Sequence, residues 1–278
     1  MNTNKLADFG SNLGQSLASL LKAVLLSRKS TVNKLADADS IVILGNGPSL
    51  NDTMRDHADF LQSHKKLAVN FAANTDMFTT LRPEFYVLAD PHFFNSDHEN
   101  VNKLWDAIAK ADWEMTLFVP NKINNSRILA LNNKHITIKR YNMTPIEGFK
   151  GLREWMYRKG IGMPRPRNVL IPSIMLAVNS GFKEIFVAGA DHSWTKTISV
   201  DDENRVVSIQ PHFYKDNEKE TTRINTEYLN YPLHQIIYSF YVAFRSYFLI
   251  KDYADGLNCK IWNITPGSFI DAFPRKKL

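Results

Sequence analysis

From Ser40 onward, short apolar runs alternate with helix-patterned stretches, and this alternation constrains the fold more than any other feature. The runs at 41–44, 67–70, 85–89, 116–119, 136–139, 185–188 and 260–263 are short, rich in β-branched and aromatic residues, and read as strands. Helical patterning is strongest at about 169–179, closed by Gly181, and about 232–253, closed near Gly256. Strands separated by helices pair in parallel, because parallel neighbours need crossover connections. The expected fold is a doubly wound α/β domain with a mainly parallel, Rossmann-like sheet.

Two stretches fall outside that alternation. Residues 1–38 form a separate segment in which Leu6, Phe9, Leu13, Leu17, Leu20, Leu21 and Val24 recur three or four apart, which makes one apolar stripe on a helix. Gly10 and Gly14 weaken that helix. Such a stripe serves either a membrane surface or a packing partner, a second copy included, and spacing does not separate the two. Residues 196–230 are polar, charged and aperiodic, too long for a routine connection, and are expected to be a lid or a small insertion. The remainder, 39–278, is one domain.

Charge and cysteine content narrow the setting. With 34 Lys plus Arg against 28 Asp plus Glu the formal charge is +6, which favours an anionic partner. No zinc spacing, RNA-binding aromatic motif or repeat is present, so nucleic acid is not the expected partner. One cysteine, Cys259, forms no internal disulfide, and no secretory leader pattern opens the sequence. The expected compartment is the cytoplasm.

Ligands of doubly wound sheets sit beyond the carboxyl ends of the strands. Here those ends carry Gly45-Asn46-Gly47-Pro48-Ser49, then Asn70, then Asp90-Pro91-His92, then Asp191-His192-Ser193, and finally Thr265-Pro266-Gly267-Ser268. In the first, two glycines permit close backbone approach, Pro48 suits a helix start, and exposed N–H groups there would attract a phosphate. It is neither a P-loop nor a dinucleotide fingerprint, since no Gly-Lys-Ser/Thr and no third glycine follow.

The GNGPSL turn, Asp90-Pro91, and the block SGFKEIFVAGADHSW together resemble the bacterial sialyltransferase-like glycosyltransferases of family 42. They are also similar to the related flagellin nonulosonate transferases and the MptE-like pterin pyrophosphokinases. The resemblance spans about 41–270. It implies a GT-A-variant sialyltransferase type of fold and a CMP-activated, sialic-acid-like donor held by Asn46, Gly47, Pro48, Ser49 and Asn70. The rim residues Gly45, Asp90, Asp191, His192, Pro266, Gly267 and Ser268 are candidate donor contacts, and Ser173, Arg165 and Arg167 weaker ones. Asp90 stands where sialyltransferases commonly have asparagine, as in the flagellin-type relatives. Arg167-Asn168-Val169 replaces the family's Thr-Ser-Gly-like entry to the following helix.

The same resemblance implies direct, inverting transfer. His234 is the nearest match to the family's general base, with His212 in the lid as a rival. The GNGPSL amides, Ser49 and Asn46 would hold the leaving phosphate, helped by Tyr214 or Tyr231. No metal is expected, because a single phosphate can be steadied by helix N-termini and hydroxyls. The acceptor would be a glycan or a lipid-linked sugar, with the N-terminal stripe and the basic Arg275-Lys276-Lys277 seating the enzyme on the inner face of the plasma membrane. Two other readings stand beside this one. One is a Mg²⁺-dependent pyrophosphokinase using Asp90 or Asp76, and the other a non-catalytic nucleotide-binding module.

Overall fold

A computed structural model describes residues 3–30, 32, 34–35, 37–208 and 231–278. All seven expected strands are present: β1 (Ser40–Leu44), β2 (Lys65–Val69), β3 (Phe85–Val87), β4 (Met115–Pro120), β5 (Ile136–Tyr141), β6 (Glu184–Ala188) and, last in the chain, β9 (Lys260–Asn263). They form one parallel sheet in the order β5-β4-β3-β2-β1-β6-β9. The chain winds from β1 out to β5, crosses back, and continues on the other side of β1. The reversal therefore falls between β1 and β6, where the two meet along five residue pairs from Ser40↔Glu184 to Leu44↔Ala188.

Alternation along the strands builds two cores. Ile41 and Ile43 face one layer with Leu67, Val69, Ile185 and Val187. Val42 and Leu44 face the other with Ala68, Tyr86, Phe186 and Ala188. The first layer is covered by α8 (Lys150–Arg158), α9 (Leu170–Ser180) and α10 (Leu233–Asp255). The second is covered by α2 (Leu50–Asp56), α3 (Ala58–Gln62), α4 (Asp76–Leu81), α5 (His92–Asn95) and α6 (Glu99–Ala109), with α7 (Ser126–Ala130) beyond. Burial on both faces is what makes parallel strands read as unbroken apolar runs.

Three local readings are revised. Strand β2 begins at Lys65, two residues earlier than expected, because the Lys66 ammonium is buried and donates to His64 O at 2.9 Å. Helix α10 ends near Gly256 as expected, yet Gly256 keeps φ −63°, and the left-handed turn is made by Asn258 at φ +54°. The segment read as a lid begins with an antiparallel hairpin, β7 (Ile198–Val200) and β8 (Val206–Ser208), which packs through Val206 on Ile236 and Phe240. His212 and Tyr214 lie outside the described residues.

The N-terminal stretch is an unbroken helix, α1 (Thr3–Leu26), despite Gly10 and Gly14. It docks through small polar residues. Ser16 Oγ accepts from Phe149 N at 3.0 Å. Ser19 Oγ accepts from Glu147 N and donates to Glu147 O. Ser27 Oγ donates to Ile161 O at 2.7 Å, and the Asn142 amide clasps both N and O of Arg28. Gly148, at φ +102°, leaves the room required, since a Cβ there would stand 2.3 Å from Ser16 Oγ. The leucine stripe faces outward. No helix among the described residues is long and apolar enough to cross a membrane.

Candidate functional site

The five polar strand ends belong to five adjacent strands, β3-β2-β1-β6-β9. Asp90, Asn70, Asn46 with Ser49, Asp191 with His192, and Pro266 to Ser268 therefore follow one another along a single rim, with the reversal between β1 and β6 at its centre.

At that centre the GNGPSL turn is pressed against the loop after β6. Gly45 N donates to Ala188 O and Gly47 N to Gly189 O, both at 2.8 Å. A Cβ on Gly45 would meet Gly189 O at 2.5 Å, and one on Gly47 would meet Asp191 Oδ2 at 1.9 Å. Ser49 Oγ donates to Asp191 Oδ2 at 2.7 Å. These contacts correct the expected phosphate cradle. The Gly45 and Gly47 amides and the Ser49 hydroxyl are already bonded, the hydroxyl to the Asp191 carboxylate. Pro48 precedes α2, which has only seven residues.

What the turn presents instead is a set of acceptors. Asn46 Oδ1 is a buried atom without a hydrogen-bond partner, while its amide nitrogen reaches Val69 O at 3.5 Å. That contact places Asn46 beside Asn70, which takes φ +51° and whose carbonyl accepts from Tyr86 Oη at 2.5 Å. The Asp191 carboxylate, bonded to Ser49, brings a charge to the centre of the rim. Asp90 is exposed at its far end, and one of its oxygens accepts from His92 N, turning the chain into α5.

His192 is held rather than offered. It takes φ +50°, packs at a tilt against Trp194 with ring centres 4.1 Å apart, and its Nε2 lies 2.6 Å from Tyr247 Oη. Asn168 Oδ1 accepts from Leu170 N, Ile171 N and Tyr247 Oη. The tyrosine proton is thus committed to Asn168, and His192 must donate from Nε2, leaving Nδ1 as its basic atom. Burial pushes its pKa down to about 3, so the ring is neutral. Tyr247 was not singled out by the sequence, since a tyrosine in an apolar helix reads as packing, and Asn168 was read only as part of the Arg167-Asn168-Val169 entry to α9.

The last strand end is a buttress. Ser268 Oγ donates to Ala190 O and Phe269 N to Asp191 O, while Asn263 and Arg275 tie the loop from below. Pro266 and Gly267 are exposed.

Several candidates stand apart from the rim. His234 is exposed at the start of α10, thirteen residues from Tyr247, which is about 20 Å along a helix. Ser173 is fully buried and donates to Val169 O, so it faces no ligand. Arg165 is paired with the buried Glu147 carboxylate at 2.7 Å, as is Arg245, and Arg167 and Tyr231 are exposed. Arg275 donates to the carbonyls of Thr265 and Ser268, and the Lys276 ammonium lies over the Phe186 and Trp262 rings, so this part of the basic C-terminus is spent on the fold. Among the described residues no three His, Cys, Asp or Glu side chains gather as a metal-binding group.

Comparison with curated proteins finds no match. Among solved structures, a MAf glycosyltransferase from Magnetospirillum magneticum AMB-1 shares the fold, with a TM-score of 0.52 and 11% identity over 96% of this chain. This chain spans 38% of that protein's length. The kinship read from the GNGPSL and GFKEIFVAGAD motifs is borne out at the level of family. A family model described as 6-hydroxymethylpterin diphosphokinase MptE-like matches residues 12–197, from the middle of α1 past the β1–β6 reversal, and the chain belongs to the MptE-like family.

Proposed function

We propose that the chain is a glycosyltransferase that takes a CMP-activated nonulosonic, sialic-acid-like sugar at the β1–β6 reversal and passes it to a glycan or lipid-linked acceptor. The observation that carries this reading is the Asn46, Ser49 and Asp191 cluster with its unpartnered Asn46 acceptor, set at the reversal point of a fold shared with a glycosyltransferase.

The charge at the reversal decides which end of the nucleotide goes there. A phosphate would be repelled by Asp191, whereas ribose hydroxyls donate to carboxylates at strand ends of such folds. In this reading Asp191, Ser49 and Asn46 therefore take the nucleoside, with Asn70 beside them, and the phosphate lies outward along the rim. In an inverting displacement the acceptor oxygen forms the new bond to the anomeric carbon. The carbon–oxygen bond to CMP breaks with its electron pair leaving on the phosphate, and the acceptor proton passes to a base. Of the two histidines read as that base, His234 stands apart from the rim and would have to be brought to it, and His212 lies outside the described residues. His192 is the less suited group, since its burial disfavours the imidazolium that proton transfer would create.

Family membership favours a second reading, transfer of a diphosphate from ATP with Mg²⁺. The rim carboxylates Asp90 and Asp191 belong to strands three spacings apart, about 14 Å. They cannot share one ion, which needs ligands at about 2.1 Å, so Mg²⁺ would rest on one carboxylate and the nucleotide phosphates. Calorimetric titration with CMP and with ATP, each with Mg²⁺ and with EDTA, separates the readings. The transferase reading expects CMP to bind equally in both conditions. ATP binding that requires Mg²⁺, with no CMP binding, would replace it by the second.

A further inference from the structure

The outward face of α1 is the largest feature that the rim chemistry leaves unused. The helix runs about 36 Å, and its orientation is fixed from the side by Ser16, Ser19, Ser27 and the Asn142 clasp on Arg28. Held in that way, it turns Leu6, Leu13, Leu17, Leu20, Leu21 and Val24 to solvent, at exposures from 42% for Leu20 to 79% for Val24. A stripe of this extent on a docked helix marks an interaction surface.

Charge identifies the occupant. Asp8 is the sole acid of α1, whereas Lys5, Lys22, Arg28, Lys29 and Lys122 lie on the helix or at its C-terminal end. Lys122 reaches Leu25 O and Arg28 reaches Ser27 O, and Lys22, Arg28, Lys29 and Lys122 pair with no carboxylate among the described residues. A second copy of the chain would bring the same cations to the contact, with only Asp8 to oppose them. An anionic bilayer supplies hydrocarbon for the leucines and phosphates for the cations at once. The basic C-terminus plays no part in this surface. It pairs with β9, whereas the residues just after α1 dock beside β5, and six strand spacings, about 29 Å, separate these two edges.

We infer that α1 is a membrane-surface helix that lies in the interface of an anionic bilayer by its leucine stripe and its C-terminal cations. The inference does not depend on which reaction the rim performs.

The test is flotation of the full chain with phosphatidylcholine vesicles, with and without phosphatidylserine. The wild type is expected to float with the phosphatidylserine vesicles and much less with phosphatidylcholine alone. L17S/L21S/V24S, which changes three exposed positions, should lose flotation while keeping its thermal melt. K22Q/K29Q should weaken it by about fivefold per lysine on anionic vesicles at low salt. Failure of the wild type to float, or flotation of the triple variant equal to wild type, overturns the inference. A wild type that ignores vesicles but sediments as a dimer, dissociated by the triple variant, also overturns it and assigns the stripe to a second copy.

Discussion

Replacing Gly45 by alanine is expected to destabilise the protein by about 2–3 kcal/mol and to abolish nucleotide binding, with Gly47→Ala close behind. A Cβ on Gly45 would stand 2.5 Å from Gly189 O and 3.1 Å from Ala188 O. Both are backbone atoms of the strand and loop that β1 pairs with, so neither can swing away. At Gly47 the nearest atom is Asp191 Oδ2, a side chain that can rotate, but Gly189 O follows at 2.7 Å. Relief in either case means parting the turn from the β6 loop, which breaks the Gly47 N to Gly189 O bond and separates Ser49 from Asp191. Gly151 has nothing within 4 Å of a Cβ and sits in α8, so Gly151→Ala serves as the matched control and should be neutral or slightly stabilising. Urea midpoints and CMP titrations of the three variants read both effects. A Gly45→Ala protein as stable as wild type would mean that the turn is not pressed on β6.

Acid should weaken the fold through His192 well before the carboxylates titrate. In the unfolded chain this histidine protonates near 6.5, and in the folded protein only near 3, because burial disfavours the charged ring. Between those values the unfolded state binds more protons, so stability is complete above about pH 6.5 and is lost as the pH falls. The expected slope approaches 1.4 kcal/mol per pH unit below pH 6. His192→Asn keeps a residue that tolerates the left-handed backbone found here and carries no proton. It should be less stable at pH 7, having lost the Tyr247 contact, and nearly flat from pH 6.5 to 5. A second acid-sensitive element, Glu147, works at lower pH. Its carboxylate is desolvated, yet the Arg245 and Arg165 guanidiniums outweigh that and hold its pKa below the usual value, so its contribution is lost only as pH falls through that lowered value. Urea melts of wild type and His192→Asn at several pH values isolate the histidine. Parallel slopes would show that His192 is not the group responsible.

The strands were legible because each crosses a core covered on both faces, and such strands betray themselves as β-branched runs. Their ends were legible for a related reason, since polar groups directly after a buried strand have nowhere to be but the rim. The order of the strands was not legible. That β6 returns to pair with β1 is a contact between residues some 140 apart, and it converts the glycine turn from an open cradle into one already bonded to Gly189 and Asp191. Other long-range contacts, spanning 55 to 128 residues, join Tyr247 to Asn168 and His192, and Ser19 to Glu147. In α1 the period was plain, but periodicity shows which residues share a face and not which face docks. Here the docking face is serine, because hydroxyls satisfy the backbone of 147–149 and leucines cannot.

The central claim is that the β1–β6 reversal is where this protein holds a nucleotide, by its nucleoside end. A crystal structure of the full chain grown with CMP tests it most directly. The account predicts ribose hydroxyls within hydrogen-bond distance of the Asp191 carboxylate, Asn46 Oδ1 partnered by the ligand, and the phosphate directed away from Asp191. CMP bound away from the GNGPSL turn, or seated with its phosphate against Gly47 and Ser49 and Asp191 swung aside, would contradict it.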